Sequence, residues 1–129
     1  WKRVTGVQTC ALPIWMTEDC DILLRDDDDN IRKAIEAIRD IFPSIHDHIS
    51  IADIRDNVVL KVADNIEVDF SVKAWTLDYA GAVADIKHSE IDGVDIPFLG
   101  IDALIKSKET MREIDQWDVK VLREIKKGT

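Results

Sequence analysis

The chain has 129 residues, 46% of them apolar, and a net charge of −9, which suits one compact domain and leaves little room for a second. No stretch approaches the roughly 20 apolar residues that a bilayer span requires, so a soluble protein with no membrane partner is expected. The acid excess repels bare nucleic acid, so non-specific nucleic-acid binding is not expected, whereas a nucleotide can still be held if a metal accompanies it.

Val4-Thr5-Gly6-Val7-Gln8-Thr9-Cys10-Ala11-Leu12-Pro13-Ile14 reads, codon for codon, like a translated short-read sequencing adapter. On that reading Trp1 to Trp15 form a non-native segment, 1–15, which is set aside when the fold is reasoned from the sequence, as a fusion scar would be. The natural chain is then expected to start near Met16, with 16–129 a single domain that is a fragment, incomplete at its N-terminus. The competing reading is a signal peptide, with Lys2 and Arg3 as its basic start. Its apolar part, Ala11 to Trp15, is shorter than the roughly 7 to 15 residues such a region needs, and Thr, Gln and Cys interrupt what precedes it. Setting the segment aside removes Lys2, Arg3 and no acid, taking the net charge from −9 to −11. It also leaves Cys20 as the one thiol, which cannot form an internal disulfide, so a reducing cytoplasm is the expected location.

From Met16 onward the pattern predicts a strand over Asp19 to Leu24. The acidic run Asp26 to Asp29 precedes Ile31, Ala34, Ile35, Ile38, Ile41 and Phe42, whose three-and-four spacing predicts an amphipathic helix that Pro43 follows. Acids at the start of a helix suit capping and dipole pairing better than metal binding. Val58 to Ala63 and Ile66 to Val72 read as strands joined by Asp64-Asn65, a hairpin turn. In the second, Ile66, Val68, Phe70 and Val72 face one way and Glu67, Asp69 and Ser71 the other, which gives one core face and one polar face. Leu77 to Val83 is compatible with a short helix. Asp92-Gly93 predicts a type I′ hairpin between Ile86 to Ile91 and Val94 to Phe98. Two helices follow: one from Ile101 through Leu104, Ile105 and Lys108, and a last one with an apolar stripe of Ile114, Trp117, Val121, Leu122 and Ile125. The fold class is α+β, a mixed β-sheet flanked by helices.

The chemistry lies in three acids. Asp19 and Asp21 are spaced to project from one face of a strand, where two like charges repel unless a cation sits between them. Hard carboxylate oxygens suit Mg2+ or Mn2+. Asp69 is the third candidate, with Glu67 its competitor on the same face. On spacing alone, Asp19 and Asp21 equally fit a strand edge kept soluble by charge. Lys108 could meet a phosphate or simply be solvated. Arg112, Asp115 and Asp118 are spaced as helix ion pairs. His46, His48 and His88 lack the partner spacing of a zinc site. Cys20 points away from the acids, toward core packing. Trp75 and Trp117 read as core or partly buried anchors.

Thr17-Glu18-Asp19-Cys20-Asp21-Ile22-Leu23-Leu24 resembles the acid-bearing strand of the DNA polymerase β-like nucleotidyltransferase superfamily, particularly its small bacterial minimal-nucleotidyltransferase and abortive-infection toxin-like members. Val68-Asp69-Phe70 is similar to that family's third-acid strand. The stretch from Ile91 to Gly100, then Leu104-Ile105-Lys106-Ser107-Lys108, Arg112, Asp115 and Asp118, resembles its hairpin, Leu-Ile-x-x-Lys helix and Asp-x-x-Asp helix. The resemblance covers nearly everything after Met16. It implies a nucleotidyltransferase-like fold and metal-dependent transfer of a nucleoside monophosphate from an NTP to a hydroxyl of a protein, RNA or small molecule. It further implies Asp19, Asp21 and Asp69 as metal ligands and catalytic acids, Lys108 as a nucleotide contact, and a cognate toxin or antitoxin partner. The family's Gly-Gly or Gly-Ser loop, roughly ten residues ahead of the acid pair, is missing: Gly6 is followed by Val7. The fragment is therefore expected to be inactive by itself. A catalytically inert binding or regulatory domain, antitoxin-like, is the alternative.

Overall fold

The computed structural model describes residues 9–12, 19–44, 48–62 and 66–129. In chain order these form β1 (Thr9–Leu12), β2 (Asp19–Leu24), α1 (Asp28–Ile41), α2 (Ile51–Arg55), β3 (Val58–Val62), β4 (Ile66–Ser71), β5 (Lys73–Ala74), β6 (Leu77–Asp78), α3 (Tyr79–Ala82), β7 (Ile86–Ile91), β8 (Val94–Leu99), α4 (Ile101–Ser107) and α5 (Glu113–Lys127). Six strands make one mixed sheet in the order β3-β4-β2-β1-β8-β7, while β5 and β6 pair separately. The pairs β2·β4 and β1·β8 are parallel and the other neighbours antiparallel. The class is α+β, and no helix among the described residues is long and apolar enough to cross a membrane.

Alternation along β2 builds a core on each side of the sheet. Leu24 joins Ile31, Ile35 and Ile38 of α1, Ile54 of α2, and Phe70. Leu23, pointing the other way, joins Leu77, Leu99, Leu104 of α4, and Val119 and Leu122 of α5. Helices thus cover both faces in three layers. The acidic run works as helix-start chemistry. Asp27 is the N-cap of α1, its carboxylate accepting from the backbone N–H of Asn30 at 2.8 Å, and Arg55 of α2 donates to Asp26 and Asp28 at 2.8 Å each. These acids stabilise the positive end of α1 and tie α2 to it.

The structure departs from the expected pattern of elements at three places, the first in a segment where no element was expected. First, Thr9–Leu12, inside the segment set aside as non-native, forms a strand between β2 and β8, with Cys10 opposite Leu23 and Ala11 opposite both Ile22 and Phe98. Strand pairing is made by backbone N–H and C=O groups, which every residue but proline carries. Second, Leu77 and Asp78 are strand residues, and the helix from Tyr79 lasts a single turn before a 3-10 turn at Val83–Asp85. Third, α5 is rotated from its expected apolar stripe. Ile114, Trp117 (63% exposed) and Ile125 face solvent, and Asp115, Val119 and Leu122 are buried. Positions 115, 119 and 122 share a helix face, and that face turns inward because Asp115 has partners there.

Other details follow the sequence closely. Asp92 and Gly93 both take positive φ, 51° and 75°, as a type I′ turn requires. Gly6 and the Asp64-Asn65 turn lie outside the described residues. The start of α4 is fixed by Asp85, whose carboxylate accepts from the backbone N–H of Asp102 at 3.0 Å and of Ala103 at 2.9 Å. A side chain on Gly100 would collide with Asp85, so glycine is required at that close approach. This clamp sets where Lys108, just past the end of α4, comes to rest.

Because β1 joins the two halves of the sheet, deleting residues 1–15 is expected to leave facing edges of β2 and β8 unpaired. Light scattering on the shortened chain should then report self-association, an outcome usual for open strand edges. A monodisperse monomer with an unchanged unfolding midpoint would show β1 to be dispensable.

Candidate functional site

The parallel register of β2 on β4 sets Asp19 opposite Glu67 and Asp21 opposite Asp69. Register partners in a sheet share a face, so all four carboxylates stand on the side that also carries Leu23, toward α4 and α5. Asp19, Asp21 and Asp69 line one cleft of ≈ 450 Å³ together with Lys108, Arg112 and Asp115 from the segment around α4 and α5. Trp75 of the β5–β6 turn and Asn57, just before β3, also line it. The three sequence-predicted acids and Lys108 thus line the same cleft.

Asp21 and Asp69 are half-buried, whereas Asp19 is exposed. Burial, reinforced by the charge of Asp19, holds the Asp21 carboxyl above the usual carboxylate range, while Lys108 and Arg112 pull it back down. Burial also raises Asp69, with Asp21, Asp19 and Glu67 adding to the effect. Asp69 Oδ1 is enclosed and accepts no hydrogen bond, an uncompensated position for a carboxylate oxygen. Among the described residues no group of three or more His, Cys, Asp or Glu side chains gathers closely enough to enclose a metal ion. Like charges repel at short range, and the three acids share a face without closing on one another. Carboxylate oxygens are the donor type that Mg2+ and Mn2+ take, and Asp69 Oδ1 is the one buried side-chain oxygen among the described residues left without a partner.

Across the cleft the charges are balanced with care. Asp115 is only 2% exposed. Arg112 clamps it with two hydrogen bonds, from Nε at 2.6 Å and from Nη2 at 2.9 Å, and the Thr110 hydroxyl donates to it as well. The Arg112 clamp, with help from Thr110, holds the Asp115 carboxyl below its ordinary range. The stabilisation it gives is complete above the unfolded carboxylate value and is lost as pH falls through the depressed one. Lys108 is 18% exposed on its side chain and donates to Asp118 at 2.7 Å. It is thus a held cation at the cleft wall and not a freely solvated lysine. Cys20 is partly buried on the opposite side of β2, its thiol pushed up by burial and by Asp21. His48 is exposed, and His88 pairs with Asp95 at 2.8 Å, away from the acids.

Sequence reasoning missed the contributions of Trp75, Asn57 and Thr110 and assigned Arg112 only a helix pair. Trp75, expected to be an anchor, is 56% exposed. The signal for Arg112 was available in its three-residue spacing to Asp115, once Asp115 is understood as the buried residue of α5. No protein-family model, curated protein or solved structure matches the chain.

The raised carboxyls predict a trade-off. Without divalent cation, Asp21 and Asp69 bind protons more tightly folded than unfolded, so their charging destabilises the fold as pH rises. Asp69→Asn is expected to raise the thermal midpoint at neutral pH by an amount on the order of a few degrees. The gain should vanish below about pH 4, where the wild-type carboxyl is neutral too. A lower midpoint at neutral pH would mean that the Asp69 carboxylate supports the fold.

Proposed function

We propose that this chain carries the acid site of a nucleotidyltransferase-like domain, which binds Mg2+ or Mn2+ with an NTP and directs a nucleoside monophosphate onto a hydroxyl acceptor. The observation that supports the reading best is the arrangement of the three carboxylates. Asp21 and Asp69 are register partners, Asp19 is two residues along the same face, and Asp69 Oδ1 is buried without a partner. A purely structural acid would be expected to gain hydrogen bonds on burial.

Asp19, Asp21 and Asp69 would hold the cation, which supplies neutralisation of triphosphate charge and Lewis-acid activation when bound. Asp69, kept basic by burial, is suited to accept the proton of the acceptor hydroxyl. Lys108, steadied by Asp118, presents its ammonium to the phosphates as a point charge. Arg112 keeps Asp115 satisfied while its positive charge borders the same cleft. Positioning and charge balance are what phosphoryl transfer chiefly demands of a protein. The acceptor belongs to one of three classes: protein, RNA or small molecule. A cognate toxin or antitoxin partner accords with the same reading.

Incubation with radioactive NTP and Mg2+ tests it. The expected result, in a form carrying an upstream Gly-Ser loop, is label transfer that requires the cation and falls at least a hundredfold in Asp69→Ala, with the circular dichroism spectrum unchanged. Undiminished transfer by Asp69→Ala would remove that residue from the site. Cation binding without any transfer, by the 129-residue chain and by a form carrying an upstream Gly-Ser loop, would favour the inert regulatory domain.

A further inference from the structure

Trp75 combines two unfavourable features at one point. It is a large aromatic more than half exposed to solvent, and its backbone is left-handed, with φ 59°. Positive φ is unusual for a bulky residue. The turn explains why the position exists but not why tryptophan fills it. Ala74 pairs with Leu77, so Trp75 and Thr76 are the two loop residues, and of these only Trp75 has positive φ. That is the type II′ pattern, whose first loop position favours glycine. A glycine would relax the turn and bury nothing less.

The hairpin around Trp75 is firmly anchored. Leu77 is fully buried in the core beneath α4 and α5. Asp78 caps α3, its carboxylate accepting from the backbone N–H of Gly81 at 2.8 Å. The indole is therefore presented from a fixed point, and that point lies on the wall of the cleft that holds Asp19, Asp21 and Asp69. Strain retained at the edge of a polar cleft is a mark of function.

We infer that Trp75 is a stacking platform for the base of a nucleoside triphosphate whose phosphates meet the acid site. The inference rests on the proposed nucleotidyltransferase reading and names the substrate feature recognised there: an aromatic base, purines favoured over pyrimidines by their larger ring area. Stacking on an aromatic side chain tolerates any base because each has a π-face. The platform thus supplies affinity and ring-size preference with little hydrogen-bond readout. Trp75 touches the base and not the reacting phosphate, so it acts on KM more than on kcat.

The test compares Mg2+-ATP with Mg2+-tripolyphosphate, which lacks base and sugar, by titration calorimetry on the wild type, Trp75→Gly and Trp75→Phe. The wild type is expected to bind Mg2+-ATP about tenfold more tightly than Mg2+-tripolyphosphate. Trp75→Gly should erase that margin while keeping its tripolyphosphate affinity and an equal or higher unfolding midpoint, since glycine suits the turn. Trp75→Phe should keep most of the margin. An unchanged margin in Trp75→Gly, or equal affinity of the wild type for both ligands, overturns the platform and leaves the acid site standing. Binding of neither ligand by the wild type overturns both.

Discussion

The register of β2 against β4 is the constraint on which the remaining structure depends. Parallel pairing with Asp21 beside Asp69 fixes two acids within a shared, partly dry environment where their charges cannot relax apart. Shifting β2 by one residue would send Asp19, Asp21 and Leu23 to the α1 side and bring Cys20, Ile22 and Leu24 to the cleft. The hydrophobic pattern forbids that slip, because Leu23 and Leu24 are each completely enclosed in a different core. The strand that creates charge repulsion is therefore held in place by apolar packing on both faces. Apolar packing thereby offsets the cost of holding like charges on one face.

The opposing wall of the cleft follows a different logic. Asp115 is buried with its hydrogen bonds made by Arg112 and Thr110, so its charge is compensated where that of Asp69 is not. Both are carboxylates lining one cleft, yet burial raises one pKa and a bidentate guanidinium lowers the other. Environment thereby separates a compensated acid from an uncompensated one. Lys108 and Arg112, each tied to an acid of α5, offer positive potential with limited freedom. That suits recognition of a multiply charged phosphate chain.

Much of this was legible in the residues. The Asp-x-Asp spacing, the alternation of Ile66 to Val72 and the Asp92-Gly93 turn are local patterns with period two, and local patterns survive in any α+β context. The meeting of β2 with β4 is long-range and followed only from the resemblance of motif order. The inward face of α5 was hidden because a buried aspartate defeats a search for apolar stripes: Asp115 takes a core position that hydrophobicity alone assigns elsewhere, and Ile114 and Trp117 turn outward as a result. Trp75 was misjudged for a related reason, since a tryptophan is on average a largely buried residue. Only its φ and its exposure reveal a residue displayed to the cleft. The strand at Thr9–Leu12 was set aside on the origin of its sequence, although pairing between β2 and β8 depends only on backbone geometry.

Titration with Mn2+, followed by the paramagnetic resonance signal of the free ion, addresses the central claim most directly, because it needs neither nucleotide nor acceptor. The account predicts uptake of Mn2+ by the wild-type chain and a loss of affinity of about tenfold or more in both Asp21→Asn and Asp69→Asn, with Mg2+ competing. Equal affinity in wild type and variants, or no uptake by the folded wild type, would contradict it.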